Sequence, residues 1–384
     1  MVNNQTFILK RSQPHPEHPT ICFNMDKFTT PLVSIGLPVY NGENYLDQAI
    51  KSVLNQTYRN WELVISDNAS TDATRAICEK YLNQDKRIRY YRFDKNYGAA
   101  KNYNTTFHLS RGIYFKWLAH DDLLASTNIQ KSTEILELHR DVVLCGSQKA
   151  TIDAYGKILN TYELKYLKLN EDNPILRYKL LLKFFTKGFS HADFVFGLMR
   201  KDILEHTPLI GNFVTSDGIL LLELILKGQF YVIDEPLFFR RIHDGISTLK
   251  KNNAPKHSIQ MNKLDQIPKK SYAEMAKWFD PNGKKRHFPQ IKWAKQLTDR
   301  IHNERFKKSD QIKLCTITYI WATKELLYYI QTHYLKRLSK KIKSPIILIS
   351  RQRSLIYFPL NPKNSNNESR NTGRWSRYKI GQRD

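Results

Sequence analysis

Carboxylates at three places along the chain have the type and the spacing needed for chemistry. Asp121 and Asp122 are adjacent and follow an apolar, aromatic run. Asp67 follows another apolar run, and Asp217 precedes the apolar run 219–226. Mg²⁺ and Mn²⁺ accept one or two carboxylates together with phosphate oxygens as ligands. A single carboxylate can take a proton as a general base. These residue types therefore indicate a site for a divalent cation, a phosphate-bearing ligand and proton transfer.

Each of these side chains also has a purely structural interpretation. The pair Asp121 and Asp122 could form a solvated turn or cap a helix, and Asp217 could cap the helix that begins after it. Asp67 could likewise cap the next helix, although Asp72 is the better capping candidate. Tyr40, at the end of the first apolar run, could stack on a base or simply lie at the rim of the site.

The segments that must position these residues alternate between strands and helices. The sequence predicts five strands, at 32–40, 61–66, 88–93, 114–118 and 142–145, separated by amphipathic helical segments of 10–15 residues. Such alternation predicts a mostly parallel sheet with helices on both faces. The carboxyl ends of parallel strands share one edge of the sheet, and ligands bind outside that edge. Tyr40, Asp67, Asp121 and Asp122 all follow strands there.

The alternation loosens after about residue 150. We expect a strand over 193–199, a helix over 219–226, and two further strands over 229–233 and 237–243. Asp217 then precedes the helix.

Several motifs together resemble the family 2 glycosyltransferases, which have the GT-A fold. They are the runs 31–41, 50–58 and 61–72, followed by Asn-Tyr-Gly at 96–98, Ala-His-Asp-Asp at 119–122 and Arg-Ile-His at 241–243. The resemblance covers about residues 31–248. It implies an α/β GT-A fold with a mostly parallel central sheet, and a nucleotide-sugar donor.

The resemblance also implies roles for individual residues. Tyr40 and Asp67 would hold the base, Asp121 would contact the ribose, and Asp122 would bind Mg²⁺ or Mn²⁺ at the diphosphate. Ala119 stands where the family often has another Asp. The residues expected to bind the nucleotide sugar are Pro38, Tyr40, Asn41, Asp67, Asn102, Asp121 and Arg241, and the expected metal ligands are Asp122 and His243.

The family needs a base that accepts the proton of the acceptor hydroxyl, and Asp217 matches its position. Asp193 and Glu223 are the alternative carboxylates, although Glu223 lies inside an apolar helical run and is expected to face away. Arg241 and His243 could stabilise the charge on the leaving group, and the His243 imidazole could also ligate the metal. Arg240 is better interpreted as a solvated charge.

The function expected from these residues is inverting transfer of a sugar, from a UDP-sugar, to a hydroxyl of a glycan or a lipid-linked acceptor in polysaccharide assembly. A nucleotidyltransferase is one alternative, but it would show a Gly-rich phosphate loop near the first strand, and 41–44 is no such loop. A nucleic-acid-binding protein is the other. Only the charge suggests it, and it leaves the carboxylates unexplained, so no nucleic acid is expected as a partner.

The charge of the chain is uneven. The 384 residues contain 61 Lys and Arg against 36 Asp and Glu, and residues 281–384 alone contain 24 against 6. A basic segment points to a polyanionic partner. The region 311–340 can be interpreted as a helix packed on the catalytic domain or as an amphipathic element on an anionic membrane surface.

The remaining expectations concern organisation and location. The four cysteines form no metal or redox motif, which favours reduced thiols, and neither a secretory signal nor a membrane-spanning segment is predicted. A cytoplasmic protein, peripheral to the inner face of the membrane, is expected. The predicted organisation is an N-terminal arm (1–30), a catalytic domain (31–250, with halves 31–150 and 151–250), a linker (251–271), a basic helical region (272–344) and a disordered basic tail (345–384).

Overall fold

The computed structural model describes residues 31–162, 164, 167–186, 191–243, 272–281 and 289–330, together with two short strands near the C-terminus. The predicted N-terminal arm and linker lie outside these described residues.

Strands and helices alternate through the first half of the catalytic domain as the sequence predicts. The strands are β1 (Val33–Val39), β2 (Trp61–Asp67), β3 (Ile88–Arg92), β4 (Tyr114–Trp117) and the short β5 (Leu123–Leu124). The helices are α1 (Leu46–Leu54), α2 (Thr74–Gln84), α3 (Ala99–His108) and α4 (Asn128–Leu138). Strands β3, β2, β1 and β4 lie side by side and parallel, so their carboxyl ends share one edge.

The second half extends the same sheet. Its elements are β6 (Val142–Ile152), β7 (Ile158–Tyr162), α5 (Pro174–Thr186), a 3₁₀ helix (His191–Phe196), β8 (Leu198–Arg200), α6 (Lys201–Glu205), α7 (Ser216–Lys227) and β9 (Gln229–Arg241). The order is β3-β2-β1-β4-β8-β6-β9-β5, with β7 beside β6. Strand β8 is antiparallel to both of its neighbours, whereas β6 and β9 are parallel. The two predicted halves thus share one sheet, and residue 150 lies within β6.

The structure corrects two expectations about strands. The predicted strand over 193–199 is wrong, because the chain is a 3₁₀ helix to Phe196 and a strand only from Leu198. Aromatic packing accompanies the difference: Phe194 lies beside Phe230 in one core cluster, while Phe196 stacks on Phe238 and packs against both core clusters. The two strands predicted over 229–233 and 237–243 are one strand, β9, whose register with β6 shifts midway to accommodate extra residues.

Among the described residues, three helices follow the catalytic domain. They are α8 (Tyr272–Phe279), α9 (Pro289–Asn303) and α10 (Lys308–Ile330). Leu297, Ile301 and Leu314 are fully buried in the same core cluster as α5 and α7. Over the described part of 311–340, one face of α10 thus packs on the catalytic domain.

Beyond α10 the structure describes only β10 (Leu348–Ile349) and β11 (Leu355–Ile356), which pair antiparallel. The rest of the predicted tail lies outside the described residues. None of the helices that the structure describes combines the length and apolar character needed to cross a membrane.

Candidate functional site

The ends of β1 and β2 carry the first group of predicted site residues. Val39 and Asp67 are paired across the two strands, and Pro38 lies one residue earlier in buried β1. Tyr40 follows β1 with 44% of its surface exposed. The tyrosine ring is therefore available to a ligand at the carboxyl edge of the sheet.

Hydrogen bonds join the loop after β1 to the loop after β2. Asn41 adopts a left-handed backbone conformation with φ of 51°. Its N–H donates to Oγ of Ser70 at 2.9 Å, and its side-chain oxygen accepts from the N–H of Thr71 at 2.9 Å. The N–H of Gly42 donates to Oγ1 of Thr74 at 2.8 Å. Asn41 thus holds the two loops in one arrangement.

Asp67 is fully buried and engaged by protein donors. Its Oδ1 accepts from the N–H of Ser70 at 2.8 Å. Its Oδ2 accepts from the Tyr90 hydroxyl at 2.8 Å and from Nε of Arg92 at 3.1 Å. These contacts support the local turn-capping interpretation, and they make Asp67 an anchor of the loop. Its predicted contact with a base remains a prediction.

Asn102 on α3 lies against the end of β1. Its Nδ2 donates to the carbonyl of Val39 at 3.1 Å, and the side chain is buried. Among the described residues its Oδ1 has no hydrogen-bond partner. A buried amide oxygen without a partner is costly, which makes this atom a candidate acceptor for a ligand donor.

The adjacent carboxylates after β4 have different partners. Oδ2 of Asp121 and Nε2 of His243 are 2.9 Å apart, and the His243 ring packs on Tyr45 with centroids separated by 4.5 Å. Oδ1 of Asp122 accepts the backbone N–H of Arg241 at 2.9 Å. Strand β9 therefore holds both carboxylates in place from across the sheet.

The two carboxylates have opposite electrostatic environments. Burial opposes ionisation of Asp121, but the hydrogen bond with His243 and the charge of His120 outweigh it, and the pKa of Asp121 falls to about 2. Burial and the neighbouring charge of Asp121 raise the pKa of Asp122 well above its ordinary value. Asp122 is thus a buried carboxylate whose ionised form needs a compensating positive charge.

Arg241 is fully buried, and its guanidinium group donates hydrogen bonds to protein oxygens. Nε donates to the carbonyl of Asp121 at 2.8 Å, and Nη2 donates to Oε1 of Gln48 at 2.8 Å. Nη1 reaches the carbonyls of Asp153 and Ala154 at 3.1 and 3.0 Å. The geometry gives Arg241 a positioning role for the loop of Asp121 and Asp122. Its direct contact with the nucleotide sugar remains a prediction.

Asp217 lies in the first turn of α7. Thr215, which precedes this helix, has a left-handed backbone with φ of 68°. Oδ1 of Asp217 accepts the N–H of the next residue, Gly218, at 2.8 Å. Burial raises the pKa of Asp217, against the opposing effects of this hydrogen bond and of the Arg240 charge. A carboxylate with a raised pKa is a stronger base than an exposed one.

Tyr103 on α3 lies within the electrostatic reach of three of the predicted site carboxylates. Burial raises the pKa of its hydroxyl, and the charges of Asp121, Asp122 and Asp217 raise it further. The tertiary structure therefore brings Asp217 to the same locality as the pair after β4. Sequence reasoning missed Tyr103, because a tyrosine inside an amphipathic helix gives no signal that distinguishes it from core.

A second charged group borders the carboxylates. Asp193, proposed as an alternative base, forms ion pairs with Lys149 and with Arg240, whose Nη1 lies at 3.3 Å. Arg240 is thus not the solvated charge that the sequence suggests. Burial and the Arg240 charge lower the pKa of Lys149 to about 7. Sequence reasoning did not identify Lys149, since the strand pattern of β6 alone does not show which polar residues face the site.

Glu223 faces away from this locality, as expected. Its carboxylate accepts Nε2 of Gln296 at 3.0 Å and lies 3.8 Å from Nε of Arg300, both on α9.

The donor set around Asp122 fits a divalent cation that completes its coordination with phosphate oxygens. Within the described part of the chain, no three His, Cys, Asp or Glu side chains form a ready-made metal site. Mg²⁺ and Mn²⁺ need only one or two carboxylates when phosphates and water supply the other ligands. Asp122 offers such a carboxylate. The Nε2 atom of His243 is hydrogen-bonded to Asp121. The role of His243 as a metal ligand remains a prediction.

Comparison with known proteins identifies the family. The model of the family described as glycosyl transferase family 2 matches residues 34–207. An uncharacterized glycosyltransferase of Rickettsia typhi is 41% identical over 224 residues, which are 57% of this chain and 66% of the relative. A putative teichuronic acid biosynthesis glycosyltransferase of Bacillus subtilis is 36% identical over 106 residues, 28% of this chain and 42% of the relative.

Structural comparison gives the fold. S. aureus TarS, residues 1–349, in complex with UDP-GlcNAc, matches with a TM-score of 0.52 at 14% identity. The match covers 80% of this chain and 75% of the TarS chain. The predicted GT-A fold is confirmed. The chain spans 66% of the Rickettsia typhi relative and 58% of an uncharacterized glycosyltransferase of Haemophilus influenzae.

Proposed function

The chain belongs to glycosyl transferase family 2, and we propose that it is an inverting glycosyltransferase that takes a sugar from a UDP-sugar. The acceptor would be a hydroxyl of a cell-surface glycan or of its lipid-linked precursor. The observation that carries this proposal is the pair Asp121 and Asp122 at the carboxyl edge of the sheet, held at 2.9 Å by His243 and by the backbone N–H of Arg241 respectively. The names of the Bacillus subtilis relative and of the TarS complex support the polysaccharide role and the UDP-sugar respectively.

The reaction needs a base, and Asp217 is the proposed one. The acceptor oxygen forms a bond to the anomeric carbon, the bond from that carbon to the diphosphate oxygen breaks, and UDP leaves. The acceptor proton passes to the Asp217 carboxylate. Because burial raises the pKa of Asp217, its carboxylate binds a proton more strongly than an ordinary aspartate carboxylate does.

The other residues are proposed to bind and orient the donor. Tyr40 would stack on the base, and Asp67 and Asn41 would hold the loops that receive it. Asp121 would accept a ribose hydroxyl, with Pro38 and Asn102 lining the same edge. Arg241 would act through the backbone it supports.

A divalent cation is part of the proposal. Asp122, with His243 as a second ligand, would hold Mg²⁺ or Mn²⁺, which stabilises negative charge on a departing diphosphate. Arg240 and Lys149 would place further positive charge close to these carboxylates.

We place the reaction in the cytoplasm, at the inner face of the membrane, where a lipid-linked acceptor would be held. The charge of the chain, +25 at pH 7, supports this placement, because an anionic lipid surface attracts such a protein.

The decisive experiment replaces the proposed base. Asp217→Asn should bind UDP and a UDP-sugar with near-normal affinity but lose about 10²–10⁴-fold in kcat, the usual contribution of general-base catalysis. The readout is UDP release from a panel of UDP-sugars, beside calorimetric UDP binding and the melting temperature. Release of pyrophosphate instead would support a nucleotidyltransferase.

A matched control is available in α6. Asp202 also lies in the first turn of a helix, and its Oδ1 also accepts the N–H of the next residue, at 2.9 Å, but it is exposed. Asp202→Asn should leave kcat unchanged. A stable and fully active Asp217→Asn variant would remove Asp217 from the mechanism.

A further inference from the structure

The outward face of α10 has an unusual composition. This helix packs inward through Leu314, Thr318 and Ala322, which are buried. Oγ1 of Thr318 lies 2.7 Å from the Tyr178 hydroxyl on α5. The inner face is therefore fixed to the catalytic domain, and the opposite face points away from it.

The exposed positions of α10 recur every three or four residues, so they form one stripe along the helix. They are Lys308, Ser309, Ile312, Lys313, Thr316, Tyr319, Ile320, Thr323, Lys324 and Leu327. Its four large apolar side chains are each more than half exposed, from 52% for Ile320 to 59% for Ile312. None of these exposed positions is an Asp or a Glu.

Two properties of the stripe restrict what it can contact. Scattered exposed apolar residues are ordinary, but four on one helix face mark a contact surface. Lys308, Lys313 and Lys324 lie in the same stripe, and long lysine stems can follow apolar surface while the charge remains in a polar layer. A face that combines apolar side chains with cations matches an anionic lipid bilayer, and at the margin of this face Lys313 also pairs with Asp310 at 3.2 Å.

We propose that this stripe, the α10 outer face, is the surface through which the protein lies on an anionic membrane. The charge of the described stretch agrees in sign, since residues 289–330 hold eight Lys and Arg against four Asp and Glu. The apolar side chains enter the interface, while the lysines remain at headgroup level. The purpose of this surface, which is to bring the enzyme to a lipid-linked acceptor, rests on the proposed function. Lipid binding itself can be measured without transfer.

The test measures binding of the full chain to vesicles by sedimentation. Vesicles of phosphatidylcholine with phosphatidylglycerol should bind the protein, and vesicles of phosphatidylcholine alone should bind it much less. The combined substitution Ile312→Asn, Ile320→Asn and Leu327→Asn should weaken binding on the order of tenfold or more, because apolar surface no longer enters the interface. Lys313→Gln and Lys324→Gln should each weaken it about fivefold at low salt.

A matched control removes equally exposed apolar side chains elsewhere. Ile113, Leu138 and Ile158 are 58%, 59% and 56% exposed and lie outside α10. Their combined substitution by Asn should leave vesicle binding unchanged. Equal losses in the two triple variants, or unchanged binding in the α10 variant, would overturn the proposal.

Two further readouts separate this proposal from its rivals. Sedimentation velocity reports whether the α10 face joins two copies of the chain; a dimer that the triple variant dissociates would overturn the membrane assignment. UDP release in solution reports the proposed function, and the α10 variants should retain it. If the full chain releases UDP but does not bind vesicles, only the membrane surface is refuted. If it binds vesicles but releases UDP from no UDP-sugar, only the proposed transfer is refuted.

Discussion

Glu223 provides a quantitative test of how the C-terminal helices are joined to the catalytic domain. Its side chain is only 1% exposed, at the contact between α7 and α9, and Gln296 and Arg300 are its partners. Burial raises the pKa of Glu223 from 4.5 to about 6, and the charge of Glu304 adds to this effect. Gln296, Arg300 and Lys227 oppose the shift without cancelling it. The folded protein therefore favours the protonated form of Glu223.

The sign of the pH dependence follows from this shift. Between about pH 4.5 and pH 6 the folded state holds a proton that the unfolded state has lost, so the free energy of unfolding falls as pH rises. A shift of about one and a half pKa units corresponds to about 2 kcal/mol. The cost of ionising Glu223 in the folded protein is absent at pH values below the pKa of the unfolded state, and it is complete above the pKa of the folded state.

Glu223→Gln keeps the shape of the side chain and removes its titration. We expect the variant to match the original protein near pH 4.5 and to be more stable by about 2 kcal/mol above pH 7. Urea unfolding followed by tryptophan fluorescence, repeated across this pH range, measures the difference. Glu134→Gln, at an exposed position of α4, is the control and should not change the pH dependence.

A variant that is less stable than the original protein above pH 7 would refute this reasoning. It would mean that the interaction of Glu223 with Arg300 outweighs the cost of burying the carboxylate. Parallel stability curves for the two proteins would refute the pKa shift itself.

Two further predictions concern the carboxylate pair and its support. In the original protein, Mn²⁺ should tighten UDP binding, and Asp122→Asn should abolish this effect. The loss of affinity should be about tenfold or more, because one charged contact is worth about 1.5–3 kcal/mol. Equal calorimetric affinities of the original protein with Mn²⁺ and with EDTA would contradict the metal assignment. Arg241→Lys should lower the free energy of unfolding by about 3–5 kcal/mol, because a lysine cannot reach the four acceptors that the buried guanidinium bonds. Arg75→Lys, at an exposed ion pair, should be neutral by the same urea measurement.

The first half of the fold was predictable because its signals are local. Strands β1, β2 and β4 are short, largely apolar runs, β3 has a β-rich sequence with two tyrosines, and each helix between them buries one face, so composition and spacing suffice. The second half depends on longer-range packing. The segment 193–199 has a strand-like composition, but Phe194 packs beside Phe230 and Phe196 stacks on Phe238, and these contacts with distant residues accompany a 3₁₀ helix.

Residue types and strand order by themselves determined that carboxylates would stand at the carboxyl edge of a parallel sheet. That placement needs only the alternation of elements and the direction of the strands. Asp67 ends β2, and Asp121 and Asp122 follow β4. The motifs between residues 31 and 243, taken together, were enough to indicate the family.

Only the tertiary structure decided what each of these residues contacts. Arg241 is separated from Gln48 by 193 positions, and their hydrogen bond exists only because β9 returns to the first half of the domain. The locality shared by Tyr103, Asp217 and Asp122 arises in the same way. Contacts between distant segments depend on how the elements pack. The physical reason is that burial and the electrostatic field at a side chain are set by its neighbours in space, and these are often far away in sequence.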